Sequence, residues 1–296
     1  MNDTTAFSQD AAGSSEHDVD FDRRFGGIAR LYGDAALARF RGAHVCVIGV
    51  GGVGSWIVEA LARSAVGRLT LIDLDNVAES NINRQIQALS DTVGMAKVTA
   101  LRQRIAQINP YCQVTEIEDF VTPDNLDEMI GGHDYDYVID AMDSARAKTA
   151  LVHYCRTRGI RLIMIGSAGG QTDPTKIEVR DLAKTEQEPL LKKVRRRLRS
   201  QFNYPPNGKN KLGVDAVFSM EPLKFPGMGN EGGDVCEVDP DDAPPVKAGL
   251  TGINCAGFGS AMVVTATFGM VAAGHVRMKL AEEAGRDAVQ AASTGT

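Results

Sequence analysis

Short strand-like runs recur through the first half of the chain, at residues 45–48, 69–72, 112–117, 137–140 and 161–165. Most are rich in Val, Ile and Leu and too short for helices, as expected for strands buried on both faces of a sheet. The stretches between them carry apolar residues at helical spacing: Trp56, Ile57, Ala60 and Leu61 after the first run, then 94–108, a short piece at 125–130, and 145–158. Strands alternating with helices predict a mostly parallel sheet with right-handed crossovers, a Rossmann-like doubly wound α/β fold. The pattern changes after residue 170. Residues 175–180 and 214–219 read as added strands, 190–202 as a basic helix, and 203–213 and 225–245 as loops. Residues 252–276 read as an apolar helix lacking Asp, Glu, Lys and Arg. Residues 21–40 read as a turn followed by a helix. These readings divide the chain into a disordered tail (1–20), one domain (21–285) and a frayed end (286–296). Within the domain, a nucleotide-binding core (21–170) precedes a substrate and dimer part (171–285).

The chemistry starts where the first strand meets the first helix. Gly49, Gly51, Gly52 and Gly54 follow the apolar run directly. Glycines there permit a tight turn, let backbone N–H groups approach phosphate, and let helix and strand pack closely. The helix N-terminus adds partial positive charge. The second strand ends on Asp73 and Asp75, placed to meet a ribose. This fingerprint alone suits a nicotinamide or flavin enzyme equally well. Asn81, Arg84 and Gln85 follow, with Asn81 and Arg84 at a spacing that lets them share a helical face. Lys97 falls near a helix start, where the helix dipole disfavours a cation unless an anion is present. Asp143 lies just past the carboxyl end of the fourth strand, the edge where ligands of open α/β sheets bind. Two cations and a carboxylate around a nucleotide site fit ATP with Mg²⁺ better than NAD.

The net charge of −6 argues against generic nucleic-acid binding and leaves room for a local basic patch. Such a patch exists: Lys192, Lys193, Arg195, Arg196, Arg197, Arg199, Lys209 and Lys211 crowd into residues 190–211. A solvated helix face would read the same way, but the density suits backbone phosphates of RNA, with Phe202 and Tyr204 near enough to stack on a base. The five cysteines include no C-x-x-C pair, so no zinc ribbon is expected. With no secretory signal, a reducing cytoplasm is the expected compartment. Residues 252–276 are long enough to span a bilayer, but their Gly, Ala, Ser and Thr content favours a buried helix, packed in the fold or on a second subunit.

The segments GVGGVGS, LIDLDNVAESNINRQ, GMAKV and VIDAMDS together resemble the adenylating domain of E1-like activating enzymes. That resemblance implies carboxylate activation: attack on the α-phosphorus of ATP, loss of pyrophosphate and formation of an acyl-adenylate. It assigns Asp73 to the ribose, Asn81, Arg84, Gln85 and Lys97 to the phosphates, and Asp143 to Mg²⁺. It also implies a homodimer in which Arg24, with Arg23 as alternative, reaches the partner's nucleotide. RFGGIARLYG, DFVTPDN, GSAGGQTDPTKIEVRDLAKTEQEPL, KLGVDAVFSMEPL and GFGSAMVVTATFG further resemble the tRNA threonylcarbamoyladenosine dehydratases over nearly the whole chain between its tails. Ser167 departs from the glycine often found there. This second resemblance implies tRNA as substrate and suggests Cys236 as a persulfide acceptor from a cysteine desulfurase. A monovalent cation is a further candidate ligand of the second half. The competing reading is adenylation of the C-terminus of a ubiquitin-like sulfur carrier, whose activators generally carry two C-x-x-C zinc pairs that are missing here.

Overall fold

The computed structural model describes residues 20–206, 210–224 and 259–294. Seven strands form one sheet: β1 (His44–Ile48), β2 (Arg68–Ile72), β3 (Gln113–Ile117), β4 (Tyr137–Asp140), β5 (Leu162–Ile165), β6 (Ile177–Asp181) and β7 (Asp215–Ser219). Their order is β3-β2-β1-β4-β5-β7-β6. All neighbours are parallel except β6, which runs antiparallel to β7. The two strands expected outside the alternation therefore extend the same sheet rather than building a second layer.

Side-chain alternation along each strand supplies two cores, one on each face. Val45, Val47, Leu69, Leu71, Ile139 and Ile163 pack beneath helices α2 (Asp34–Gly42), α3 (Gly54–Ala62), α4 (Lys97–Ile108) and α7 (Met262–Thr294). Cys46, Ile48, Ile72, Val138 and Met164 face α5 (Ala145–Arg158) and α6 (Pro189–Phe202). Cys46 and Cys155 are buried free thiols in this second core, where desolvation pushes the Cys155 thiol up to about 12.

Several expectations change in detail. Residues 21–40 hold two helices, α1 (Phe21–Tyr32) and α2, joined at Gly33, so Arg23 and Arg24 lie inside a helix capped by Asp20. The helix expected from residue 94 begins at Lys97, because Ala96 forms an isolated bridge with Asn76. The short helix near 125–130 is a π-turn, Asp127–Gly131. Helix α7 continues to Thr294, through residues read as frayed. Its buried Val264, Phe268, Ala272, Val276 and Leu280 lie four residues apart, so one face seats on the core. No helix of the described residues is long and apolar enough to cross a membrane.

Candidate active site

Between β1 and α3, Gly49 and Gly54 leave no room for a side chain. Gly49 adopts φ +81°, and a Cβ there would lie 2.9 Å from the Ala141 carbonyl oxygen. A Cβ on Gly54 would lie 1.8 Å from the Gly49 carbonyl oxygen. The loop is therefore folded onto the start of α3, which has no side-chain cap. Ser55 N and Trp56 N of the first turn donate to Gly51 O and Val53 O (3.1 Å each), so what the start of α3 offers an anion is chiefly its dipole.

The acids and bases collect around this loop. Asp73 accepts from Val50 N through Oδ2 (2.8 Å) and from Asp75 N through Oδ1 (2.9 Å), so it braces the loop it borders. Buried Lys97 donates to Asp75 Oδ2 at 2.7 Å and lies 3.6 Å from Asp73 Oδ1. Those carboxylates explain how a cation is tolerated at the start of α4. Asp143 lies exposed just beyond β4. Crowding by surrounding protein atoms raises its carboxyl above the usual range, and the charge of Asp75 adds to the rise.

Arg84 is half-buried against Gly52, whose added Cβ would meet its Cδ at 3.3 Å. Its guanidinium donates to Ser80 O (2.7 Å) and Asn83 Oδ1 (3.0 Å). Its own carbonyl accepts from Trp56 Nε1 at 2.9 Å. Desolvation lowers its pKa. The expected shared helical face is not formed. Asn81 ends a single 3₁₀ turn (Glu79–Asn81) and accepts from Ala78 N, because no helix continues from it to Arg84. Gln85 is buried beside the loop and accepts from Gln87 Nε2 (3.0 Å), which also donates to Val50 O (3.0 Å). Gln87 was not singled out from sequence; its place two residues after Gln85 is its sole signal.

Arg24 is remote in role from this chain's own glycine loop. Its guanidinium donates to Gln107 O (3.0 Å) and Ile108 O (2.8 Å), capping the C-terminal end of α4. Helix α6 buries Leu191, Val194 and Leu198 and presents Lys192 and Arg196 to solvent. Its basic residues are not equivalent. Arg195 donates to Thr185 Oγ1, and burial lowers its pKa. Lys193, Arg197 and Arg199 are partly buried, while Lys211 is exposed. Phe202 is not free to stack on a base: it stacks on His153 with centroids 4.0 Å apart, and Tyr204 meets the same ring edge-on at 6.1 Å. Lys209 and Cys236 lie outside the described residues.

One group beneath the site was also missed. Lys148 and Asp140 form a fully buried ion pair at 3.0 Å. The readable signal was periodicity, since Lys148 shares a stripe with Leu151, Val152 and Cys155, all buried.

A mostly parallel sheet with a glycine loop at its centre, an acid after the second strand and cations at the mouth defines a nucleotide-binding protein of the adenylating type. The chain belongs to the ThiF family, whose sequence model matches residues 24–283. It is similar to the tRNA threonylcarbamoyladenosine dehydratase of Escherichia coli K12, with 52% identity over 89% of this chain and 96% of the relative. The Haemophilus influenzae protein of the same name is 50% identical over 88% of this chain and 94% of its own length. The E. coli tRNA N6-threonylcarbamoyladenosine dehydratase solved in complex with ATP superposes with a TM-score of 0.77 at 50% identity, covering 90% of this chain and 96% of that one.

Proposed function

We propose that this chain is an ATP-dependent dehydratase that activates the threonyl carboxylate of N6-threonylcarbamoyladenosine in tRNA and closes it to the cyclic form. The carrying observation is likeness to dehydratases over nearly the full length of both chains. The site geometry agrees with the chemistry that this requires. A carboxylate oxygen attacks the α-phosphorus of ATP and pyrophosphate leaves. The carbamoyl group then attacks the acyl carbon, and AMP departs with the carboxylate oxygen. Loss of one carbamoyl-side proton completes the net removal of water.

The protein's contribution is positioning and charge neutralisation. The α3 N-terminus, Arg84 and Lys97 receive the phosphates, with Asn81 and Gln85 beside them. Asp73 takes the ribose, and Asp75 holds Lys97 until nucleotide arrives. Mg²⁺ fits the residues present, since exposed Asp143 offers one hard carboxylate beside the glycine loop's edge of the sheet. Mg²⁺ commonly takes one or two carboxylates and completes its shell with phosphate oxygens and water. Bound there, it would neutralise charge on the triphosphate. The exposed cations of α6 meet tRNA backbone. In a homodimer, Arg24 serves the partner's nucleotide.

Incubation with ATP, Mg²⁺ and tRNA bearing threonylcarbamoyladenosine, followed by digestion and mass spectrometry, tests the reading. A nucleoside lighter by one water is expected. If no nucleoside loses water while the protein is folded and binds ATP, the reading fails.

A further inference from the structure

We propose that Lys148 is a positioning residue for adenylation, tying the loop that carries Asp143 to the turn after β5, and that Glu188 extends this hold to helix α6. The proposal rests on the function given above. Lys148 touches neither loop's surface; it works from beneath. Its ammonium has three protons and three acceptors: Asp140 O (3.1 Å), Asp140 Oδ1 (3.0 Å) and Ile165 O (2.8 Å). Pairing between β4 and β5 ends at Asp140 opposite Met164. Past that point the two strands lead to different loops, and one ammonium gathers their last carbonyls.

The same contacts run on into the site. Asp140 Oδ1 also accepts from Met142 N at 3.1 Å, and Ser144 Oγ accepts from Ala147 N at 3.2 Å as the cap of α5. Asp143 is thus fixed on both sides. On the β5 side, Glu188 accepts from Ser167 N at 2.8 Å and from Leu191 N as the cap of α6. Gly166 is pressed against it, since an added Cβ would lie 2.9 Å from Glu188 Cγ. One carboxylate therefore sets both the turn after β5 and the origin of the RNA-facing helix, close enough to Lys148 to sense its charge. Asp140, Lys148 and Glu188 are 0%, 0% and 4% exposed, and Asp140 Oδ2 has no partner. Burying such charges costs stability that an apolar trio would not. Their position at the carboxyl edge of the sheet gives that cost a use: loop geometry.

The test is the double variant Asp140→Asn/Lys148→Met, which removes the ion pair and leaves Glu188 held by its own donors, Ser167 N and Leu191 N. Lys148→Met alone would strand Asp140 and report mainly on folding. The double variant is expected to stay folded by circular dichroism. In the nucleotide-free protein, amide exchange at residues 141–144 and 166–170 should accelerate by about tenfold. The Mg²⁺ concentration that half-supports ATP binding, read by calorimetry, should rise by about tenfold, as for loss of an outer partner of a metal ligand. Turnover should fall by about a hundredfold with little change in the KM for tRNA. A folded variant with wild-type exchange, Mg²⁺ midpoint and turnover would overturn the proposal. Altered exchange and Mg²⁺ midpoint, with a wild-type protein that leaves tRNA unchanged, would support the positioning role and overturn the substrate instead.

Discussion

Gly49 is where the site tolerates change least. Its φ of +81° and the 2.9 Å approach of a Cβ to Ala141 O act together. Gly49→Ala should cost about 1–3 kcal/mol from backbone strain, seen as a lower thermal midpoint, and should weaken ATP binding measured by calorimetry. Lys97 carries a different burden. Its ammonium balances Asp73 and Asp75, and the proposed function has it turn to the phosphates when nucleotide binds. Lys97→Met should reduce turnover by about a hundredfold or more in protein that remains folded, in line with loss of a charge-stabilising donor. Near-normal turnover would remove Lys97 from the phosphate site. The legible part at this scale was the glycines, Asp73, Lys97 and Asp143, because each stands beside a strand end or helix start, whereas Arg84 lies in a turn that belongs to neither. Their partners were not legible: Asp75 for Lys97 and Val50 N for Asp73 follow from how the β1 and β2 loops meet.

At the level of elements, α6 divides its charges between the protein and the solvent. Exposed Lys192 and Arg196 contrast with Arg195, which is engaged by Thr185. Replacing Lys192 and Arg196 by Glu should weaken tRNA binding and flatten its salt dependence by roughly one unit per lost phosphate contact. Arg195→Ala should cost stability rather than salt dependence. Helix α7 crosses α3 at Gly269, where a Cβ would lie 2.8 Å from both Trp56 Cβ and Val53 O. Gly269→Val should push the helices apart and cost about 1–3 kcal/mol in thermal unfolding. The turn after β7 adds a pH signature. Burial alone would raise the Glu221 carboxyl, but donors from Asp173, Lys224 and Thr172 hold it at about 2 against an ordinary 4.5. A carboxyl lowered in the folded state stabilises fully above its unfolded value and loses that contribution as pH falls through the folded one. The stability gap between wild type and Glu221→Gln should therefore shrink as pH drops from about 4.5 to about 2.

Across the whole molecule, Arg24 poses the question of how many chains make a site. In this chain it caps α4 and does not meet its own Lys97 or Asp143. If it serves a partner's nucleotide, mixing equal amounts of Arg24→Ala and Asp143→Ala chains should restore about a quarter of wild-type turnover. Half the dimers would be mixed, each with one site supplied with both residues. Turnover no higher than the parent variants would assign Arg24 to structure. The single sheet through both halves also matters at this scale, since β7 beside β5 places the second half next to the nucleotide edge.

The sequence by itself determined the strands, most helices, the parallel core and which loops carry the proposed nucleotide residues. These depend on local periodicity and on loops that follow directly from strand ends, so neighbours along the chain carry the information. Tertiary structure alone decided that Lys148 neutralises Asp140, that Glu188 caps α6 while bracing Ser167, that Arg24 turns to α4, and that His153 occupies Phe202. Each of these is a contact between separate segments. Whether a buried donor or charge finds its partner depends on the distance left after the sheet has closed, and that distance is not written in the spacing of residues along the chain.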